Sequence, residues 1–285
     1  MSSRIIGTID LSRYDFAADI AYLSSVEKGE EEYDEFAEGY WKNVSLINAT
    51  GVDGDTQYRN ADSSMRTGHM SGCPEIERMI FENFAGDAIR MVRARNLVDG
   101  VVIPHRDFVE LDKGVRYLRV FIPIETNVHS FHSDEDGVFQ MMPGEVWFLD
   151  ASINHAVVNF SKESRMFVCI DFAFNGDCGV AEIFSGRNSD SSVAQRRNID
   201  RPAMRAADFA DMLASMAVKL AAGSVREAVI ESARLHFKYD FTVDACYTWL
   251  IRAGVATGNL ALVGQLERLR RFLIESREMS ERFSF

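Results

Sequence analysis

The chain has 285 residues, of which 47% are hydrophobic, and its formal net charge is -12. This length suits a core domain with an extension, and the apolar content is sufficient for a sizeable core. The acidic balance argues against a nucleic-acid-binding protein. No run reaches the roughly 20 apolar residues of a membrane span, and the start lacks the pattern of a signal peptide. We therefore expect no nucleic-acid or membrane partner and a cytoplasmic location.

The first part of the chain predicts one strand and two helices. Residues 4–9 predict a strand, and residues 11–26 an amphipathic helix. A second helix is predicted over 75–85, because Pro74 stands just before its start and proline is favoured there. Four aromatic side chains of this part are candidates either for the core or for a pocket wall: Tyr33, Phe36, Tyr40 and Trp41.

The middle of the chain predicts short strands separated by turns. Apolar, β-branched and aromatic residues alternate or cluster in five segments, at 90–98, 100–111, 117–124, 144–151 and 165–174. Helical patterns do not separate these segments, which favours a sandwich or barrel of antiparallel strands. In such a fold, residues that are distant in sequence converge at the mouth.

One of these segments and one later position carry residues of the kind that bind metal. His105 and Asp107 are two positions apart, so on a strand their side chains face the same side. His155, on a later strand, would complete a face of three ligands. Two histidines and one carboxylate with open positions opposite form the facial triad of non-haem Fe(II) oxygenases. Arg165, ten residues further on, would hold an acidic cosubstrate beside the metal.

The triad pattern alone leaves other classes of protein open. Zinc also accepts histidine and aspartate ligands, so a zinc hydrolase or a sugar-binding cupin fits the same three residues. A non-catalytic cupin-like protein that binds a metabolite is the alternative from a different class. Arg165 counts against that alternative, because a binding module has no reason to keep the triad and the arginine together.

The chain changes character after residue 185. A polar, loop-like stretch predicts a linker over 185–197, between a core domain at 1–184 and a helical domain at 198–285. Helical spacing recurs over 208–220, 243–253 and 260–274, and the motif that starts at Ser224 predicts a capping box. The apolar stripes of these helices indicate core or dimer contacts. The helices are therefore the candidate surface for a homodimer.

Several segments also carry a more specific likeness, at 31–43, 95–112, 131–134, 142–151, 158–161, 171–174 and 280–284. In these segments the chain resembles the bacterial L-proline cis-3-hydroxylases. These enzymes form part of the aspartyl/asparaginyl β-hydroxylase branch of the 2-oxoglutarate oxygenases. The resemblance touches most of the chain and weakens at 51–75 and over most of 178–285.

The resemblance implies a fold and an activity. The fold is mainly β with α: a double-stranded β-helix (jelly-roll, cupin-like) core with flanking helices and a C-terminal helical bundle. The activity is that of a dioxygenase that uses Fe(II), 2-oxoglutarate and O2 to hydroxylate a free cyclic amino acid. L-proline, hydroxylated at C3 on the cis face, is the expected substrate. Hydroxylation of L-pipecolic acid at C3, or of proline at cis-C4, are the alternatives.

The resemblance also implies roles for individual residues. His105, Asp107 and His155 match the iron ligands, and Arg165 matches the residue that pairs with the distal carboxylate of 2-oxoglutarate. Further residues lie in or near the matched segments, and we expect Arg119 and His132 to contribute to cosubstrate binding. A free amino acid also needs a cation for its carboxylate. The candidates are Arg93 and Arg95, which share one strand face, and Arg119.

Overall fold

The computed structural model describes residues 2–29, 32–108, 115–176, 179–185, 195–278 and 281–283. Its ten strands are β1 (Arg4–Thr8), β2 (Ala37–Asn48), β3 (Met65–Arg66), β4 (Ile89–His105), β5 (Val115–Glu125), β6 (Ser130–Asp134), β7 (Gly137–Phe139), β8 (Glu145–Leu149), β9 (His155–Asn159) and β10 (Met166–Asn175). Its α-helices are α1 (Ala17–Ser25), α2 (Pro74–Asn83), α3 (Ala206–Ala221), α4 (Val225–His236), α5 (Ala245–Ala256) and α6 (Leu260–Arg270).

The strands form one antiparallel sheet that folds into two facing halves. The strand order is β1-β8-β5-β10-β4-β9-β6-β7, and β2 pairs with both β4 and β3. The long strand β4 belongs to both halves, because Ile89–Asn96 pairs with β10 and Gly100–His105 pairs with β9. With helices outside both halves, this is the predicted double-stranded β-helix of the jelly-roll, cupin-like type.

A tight approach of two backbones marks the point where β4 passes from one half to the other. Asp99 has a φ of +44° and Gly39 on β2 has a φ of +87°, both in the left-handed region. A Cβ atom added to Gly39 would lie 2.3 Å from the Asp99 carbonyl oxygen, and one added to Gly100 would lie 2.1 Å from that of Glu38. Only glycine fits at these two positions. The close approach of β2 and β4 therefore depends on Gly39 and Gly100.

Side chains that alternate along β10 separate the outside of the sheet from its interior. Val168, Ile170 and Phe172 pack outward against the core that contains α2. Phe167 and Cys169 point the other way and join an interior cluster with Phe121, Phe139 and Trp147. Asp171 continues this inward-facing series. The interior between the two halves is therefore part apolar and part charged.

The C-terminal helices cover the outer face of the other half of the sheet. Leu97, Val101 and Ile103 of β4 lie in one buried cluster with side chains of α3, α4, α5 and α6. These helices therefore share their core with the strand that carries His105. The boundaries predicted at 1–184, 185–197 and 198–285 stay a prediction, and residues 186–194 of the linker lie outside the described residues.

The structure corrects several local predictions. The helix expected over 11–26 begins only at Ala17, because Asp10 caps a short 3-10 turn at Leu11–Arg13 first. The segments 90–98 and 100–111 form a single strand up to His105, and residues 109–111 lie outside the described residues. β2 was not predicted, because its last eight residues are all buried and do not alternate.

The C-terminal helices lie where their spacing predicts them, with two corrections. The capping box at Ser224 is wrong: this residue precedes α4, but its side chain makes no capping hydrogen bond. The segment 260–274 is not one α-helix, because α6 gives way to a π-helical turn at Arg271–Glu275. Within the described part of the chain, no helix is both long enough and apolar enough to cross a membrane.

Candidate active site

The three predicted metal ligands lie together at one end of the interior. His105 is the last residue of β4 and is the direct cross-strand partner of His155, the first residue of β9. Their ring centroids are 4.3 Å apart. One possible ligand atom from each of His105, Asp107 and His155 lies within 4.8 Å of the others, and all three residues are buried. The antiparallel register of β4 and β9 thus brings together residues fifty positions apart.

Asp107 reaches this cluster differently from the way the sequence predicts. The strand ends at His105, so Asp107 lies just beyond it rather than on it. Its backbone N–H donates to the Ala151 carbonyl oxygen at 2.8 Å, which fixes the segment in place. Asp107 Oδ1 lies 3.5 Å from His105 Nε2. The predicted proximity of the two side chains is therefore present, although regular strand geometry does not produce it.

Both imidazoles are oriented by backbone carbonyls. His105 Nδ1 lies 2.8 Å from the Ile103 oxygen, and His155 Nδ1 lies 2.9 Å from the Ile153 oxygen. A carbonyl can only accept, so each Nδ1 carries a proton and Nε2 is the ring nitrogen available to a metal. Burial, together with His105 beside it, lowers the pKa of His155 to about 4. His155 is therefore neutral at pH 7, as a metal ligand must be.

The carboxylate of Asp107 is held in its charged form. Burial alone would raise its pKa, but Arg119 and the neighbouring imidazoles outweigh burial and hold the pKa well below its usual value. Two imidazoles and one carboxylate on the same side form the donor set that suits non-haem Fe(II). The residues present therefore fit an Fe(II) ion.

Arg165 and His132 form a second polar group in the interior. Arg165 lies immediately before β10, is 1% exposed, and donates a hydrogen bond from Nη2 to His132 Nε2. Its guanidinium lies 3.8 Å from the ring centre of Phe167, on which His132 also stacks. Burial and the nearby Arg95 lower the pKa of Arg165 to about 9. An anion in this place would relieve that unfavourable positive charge.

One cavity joins these two groups. It is lined by the three candidate ligands, by Arg165, His132 and Arg95, and by apolar side chains that include Trp41, Phe121, Leu149 and Val157. Trp41, which the sequence leaves open between core and pocket, is thus a buried residue that also lines the cavity. The Arg95 guanidinium lies 5.8 Å from the Trp41 ring centre and 5.5 Å from that of Phe121.

The structure places Arg93 and Arg119 in a different setting from Arg95. Arg93 Nη2 donates to Asp171 at 2.6 Å, and Arg119 Nε donates to the same carboxylate at 2.7 Å. Arg119 also donates to Asp107. The sequence analysis did not single out Asp171 as a site residue. A lone acidic residue within the apolar run of β10 is the feature that could have indicated it. The functional roles predicted for Arg93 and Arg119 stay predictions.

The fold and this cavity define a class of protein: a jelly-roll dioxygenase that uses Fe(II) and 2-oxoglutarate. Comparisons with known proteins agree. Residues 16–174 match the family described as "Aspartyl/Asparaginyl beta-hydroxylase", and residues 181–281 match "L-proline 3-hydroxylase, C-terminal". The chain belongs to this β-hydroxylase family, in the group of the L-proline 3-hydroxylases.

Similar individual proteins cover the whole chain. "L-proline cis-3-hydroxylase 2" of a Streptomyces species is 40% identical over 290 residues, which cover 100% of this chain and 99% of the relative. "L-proline cis-3-hydroxylase 1", also from Streptomyces, is 37% identical over 100% of this chain and 99% of its own length. "L-proline cis-4-hydroxylase" of Rhizobium meliloti (strain 1021) is 28% identical over 99% of both chains.

Proposed function

We propose that this dioxygenase hydroxylates free L-proline at C3 on the cis face. The observation that carries the proposal is the single cavity in which the metal triad, Arg165 and Arg95 converge. Two cations beside a metal site suit two carboxylate-bearing molecules, a cosubstrate and an amino acid. The 40% identity to an L-proline cis-3-hydroxylase along the full chain supports proline as the amino acid.

In this proposal His105, Asp107 and His155 hold Fe(II). Bound Fe(II), with 2-oxoglutarate and O2, supplies the oxidising power that converts a C–H bond into C–OH while 2-oxoglutarate becomes succinate and CO2. A metal held by these three residues alone would have coordination positions left for the small molecules. Phe36 stacks on His105 with ring centroids 5.8 Å apart and limits its motion.

Arg165 binds the distal carboxylate of 2-oxoglutarate, with His132 at its side. The planar guanidinium grips a carboxylate through two hydrogen bonds, which sets orientation as well as charge. Arg165 Nε is buried and has no hydrogen-bond partner among the described residues. A buried donor in this condition is costly, and a carboxylate oxygen would accept from it.

Arg95 binds the carboxylate of the substrate. Its guanidinium lies between Trp41 and Phe121, whose faces attract a cation and restrict where it can move. The same aromatic rings provide apolar walls for the substrate ring. Arg93 was predicted as the alternative, but its ionic contact with Asp171 supports a structural role instead. The proposal therefore assigns the substrate carboxylate to Arg95 alone.

The test is a panel of free amino acids with Fe(II), 2-oxoglutarate and O2, in which NMR identifies the product and succinate is quantified. We expect L-proline to give cis-3-hydroxyproline with one succinate per product. L-pipecolic acid should also react, with different efficiency, because one methylene changes binding by only about 1–3 kcal/mol. Hydroxylation at C4 as the main product, or product only from pipecolic acid, would contradict the substrate assignment.

A blocked substrate tests the role of a free carboxylate. N-acetyl-proline amide lacks the carboxylate that Arg95 would bind, so its complex loses a charge-assisted pair of hydrogen bonds. We therefore expect kcat/KM for the blocked amide to be at least about a hundredfold lower than for L-proline, equivalent to about 2.7 kcal/mol. Comparable turnover of both compounds would move the protein toward the peptide-modifying enzymes.

We also propose that two copies of the chain associate as a homodimer through the C-terminal helices. Three large apolar side chains on or next to these helices are 61–85% exposed, namely Val218, Val255 and Leu260. Such side chains are candidates for burial against a second copy. Light scattering of the purified protein tests this, and a mass of one chain at micromolar concentration would contradict it. The cytoplasmic location stays a prediction.

A further inference from the structure

A buried ionic network extends from the candidate ligand Asp107 to Asp171 on β10. The Asp171 carboxylate accepts hydrogen bonds from Arg93 Nη2 at 2.6 Å, Arg119 Nε at 2.7 Å and the Tyr117 hydroxyl at 2.6 Å. Arg119 donates in the other direction, from Nη1 to Asp107 Oδ2. The Arg119 guanidinium is therefore a bridge between the two carboxylates.

The network is balanced in charge and closed to water. Asp171 is fully buried, and Arg93 and Arg119 are each 2% exposed. Two guanidiniums and two carboxylates sum to a formal charge of zero, which is the condition for burying such groups at tolerable cost. Asp171 and Arg119 are direct cross-strand partners on β10 and β5. The register of these strands thus places the Arg119 side chain beside Asp171.

This arrangement constrains how Asp107 faces the other ligands. Arg119 contacts Oδ2, whereas Oδ1 is the oxygen 3.5 Å from His105 Nε2. The carboxylate therefore presents one oxygen to the ligand cluster and the other to the guanidinium. We propose that Asp171 is a positioning residue for the metal centre: it anchors Arg119, and Arg119 fixes Asp107 with one oxygen toward the metal. This proposal rests on the assignment of His105, Asp107 and His155 as metal ligands.

The substitution Asp171→Asn tests the proposal, with Mn(II) as the probe metal and affinity measured by calorimetry. Asparagine keeps the shape but removes the charge, so Arg119 loses its anchor and the network gains a net positive charge beside the metal site. Residues that orient metal ligands typically contribute about 10–100-fold in metal affinity. We expect a loss of Mn(II) affinity in this range. Unchanged affinity in a folded Asp171→Asn variant would overturn the proposal.

The matched control is Asp134→Asn. Asp134 is also a fully buried aspartate, paired with Arg196 through two hydrogen bonds of 2.7 and 2.8 Å. Among the described residues, its hydrogen bonds do not reach His105, Asp107 or His155. This control should lose stability in the same way, by melting temperature, while its Mn(II) affinity stays that of the wild type. An equal loss of affinity in both variants would mean a general effect of disrupted packing and would overturn the positioning role.

Two further variants keep the outcome interpretable. Tyr117→Phe removes one hydrogen bond to Asp171 and no charge, so it should fold and weaken Mn(II) binding less than Asp171→Asn does. If Asp171→Asn does not fold, unchanged affinity in Tyr117→Phe overturns the proposal. His105→Ala should abolish Mn(II) binding. Retained binding in His105→Ala would overturn the ligand assignment itself, whereas its loss together with wild-type affinity in Asp171→Asn would overturn only the role of Asp171.

Discussion

The Tyr247 hydroxyl on α5 donates a hydrogen bond to the carbonyl oxygen of Pro104, the residue before the candidate ligand His105. On the other side of this ligand, the Arg106 N–H donates to the Leu273 carbonyl oxygen at 2.9 Å. The backbone on both sides of His105 is thus tied to the C-terminal part of the chain. The C-terminal part of the chain therefore supports the backbone at the end of the strand that carries the candidate ligand His105.

Replacing Tyr247 by phenylalanine should test this support. The substitution keeps the ring in its buried place and leaves the Pro104 carbonyl without its donor. A buried polar group left unsatisfied costs about 1–3 kcal/mol, and we expect the free energy of unfolding in urea to fall by that amount. Tyr239→Phe is the control, since its hydroxyl makes no hydrogen bond within the described part of the chain, and it should change stability by less than about 0.5 kcal/mol. Equal effects of the two substitutions would contradict the proposed support.

Removal of any one metal ligand should abolish turnover while the fold survives. His105→Ala, Asp107→Ala and His155→Ala each remove one of the three candidate ligands. We expect native-like circular dichroism in each variant, together with loss of Fe(II) binding and of succinate formation. Full activity in any one of them would show that its residue is not a ligand.

Arg165→Lys should impair the binding of 2-oxoglutarate specifically. Lysine keeps the charge but loses the two-pronged grip on a carboxylate, so the change is not conservative here. Loss of a buried charged contact costs about 2–5 kcal/mol, and we expect the apparent KM for 2-oxoglutarate to rise accordingly. Fe(II) affinity should change much less. An unchanged KM for 2-oxoglutarate would mean that the cosubstrate is anchored by other residues.

The stability of the protein should fall as the solution is acidified from about pH 6.5 to pH 4. Burial, together with Arg201, lowers the pKa of His236 from 6.5 to about 4 in the folded chain. Between these two pH values, His236 is protonated in the unfolded chain and neutral in the folded chain. Its contribution to the free energy of unfolding is therefore fully present above pH 6.5 and is lost as the pH falls toward 4. The contribution of His236 is about 3 kcal/mol.

Urea unfolding at a series of pH values measures this effect. His236→Gln removes the titrating group, so its free energy of unfolding should depend less steeply on pH over the same range than that of the wild type. Buried His132 and His155 also have lowered pKa values and leave a residual slope in the variant. Identical slopes in the two proteins would contradict the assignment to His236.

Local patterns in the sequence were sufficient for several of the strands, for most of the helices and for the choice of candidate ligands. Alternation along a strand is a local property, and it predicted β5, β8 and β10 close to their observed bounds. The strand β2 escaped prediction because both of its faces are buried over much of its length, and burial is decided by distant neighbours. The end of β4 at His105, before Asp107, escaped prediction for the same reason. The Ala151 carbonyl that fixes Asp107 comes from another segment of the chain.

The sequence by itself determined which residue types were available: two histidines, an aspartate and several arginines on or next to predicted strands. Tertiary structure alone decided how the arginines differ. Arg93 and Arg95 share one strand face and are equivalent in the sequence, yet Arg93 meets Asp171 and Arg95 lines the cavity. The physical reason is that the role of a buried charged side chain depends on the groups that it contacts. Those groups come from strands that are far away in sequence.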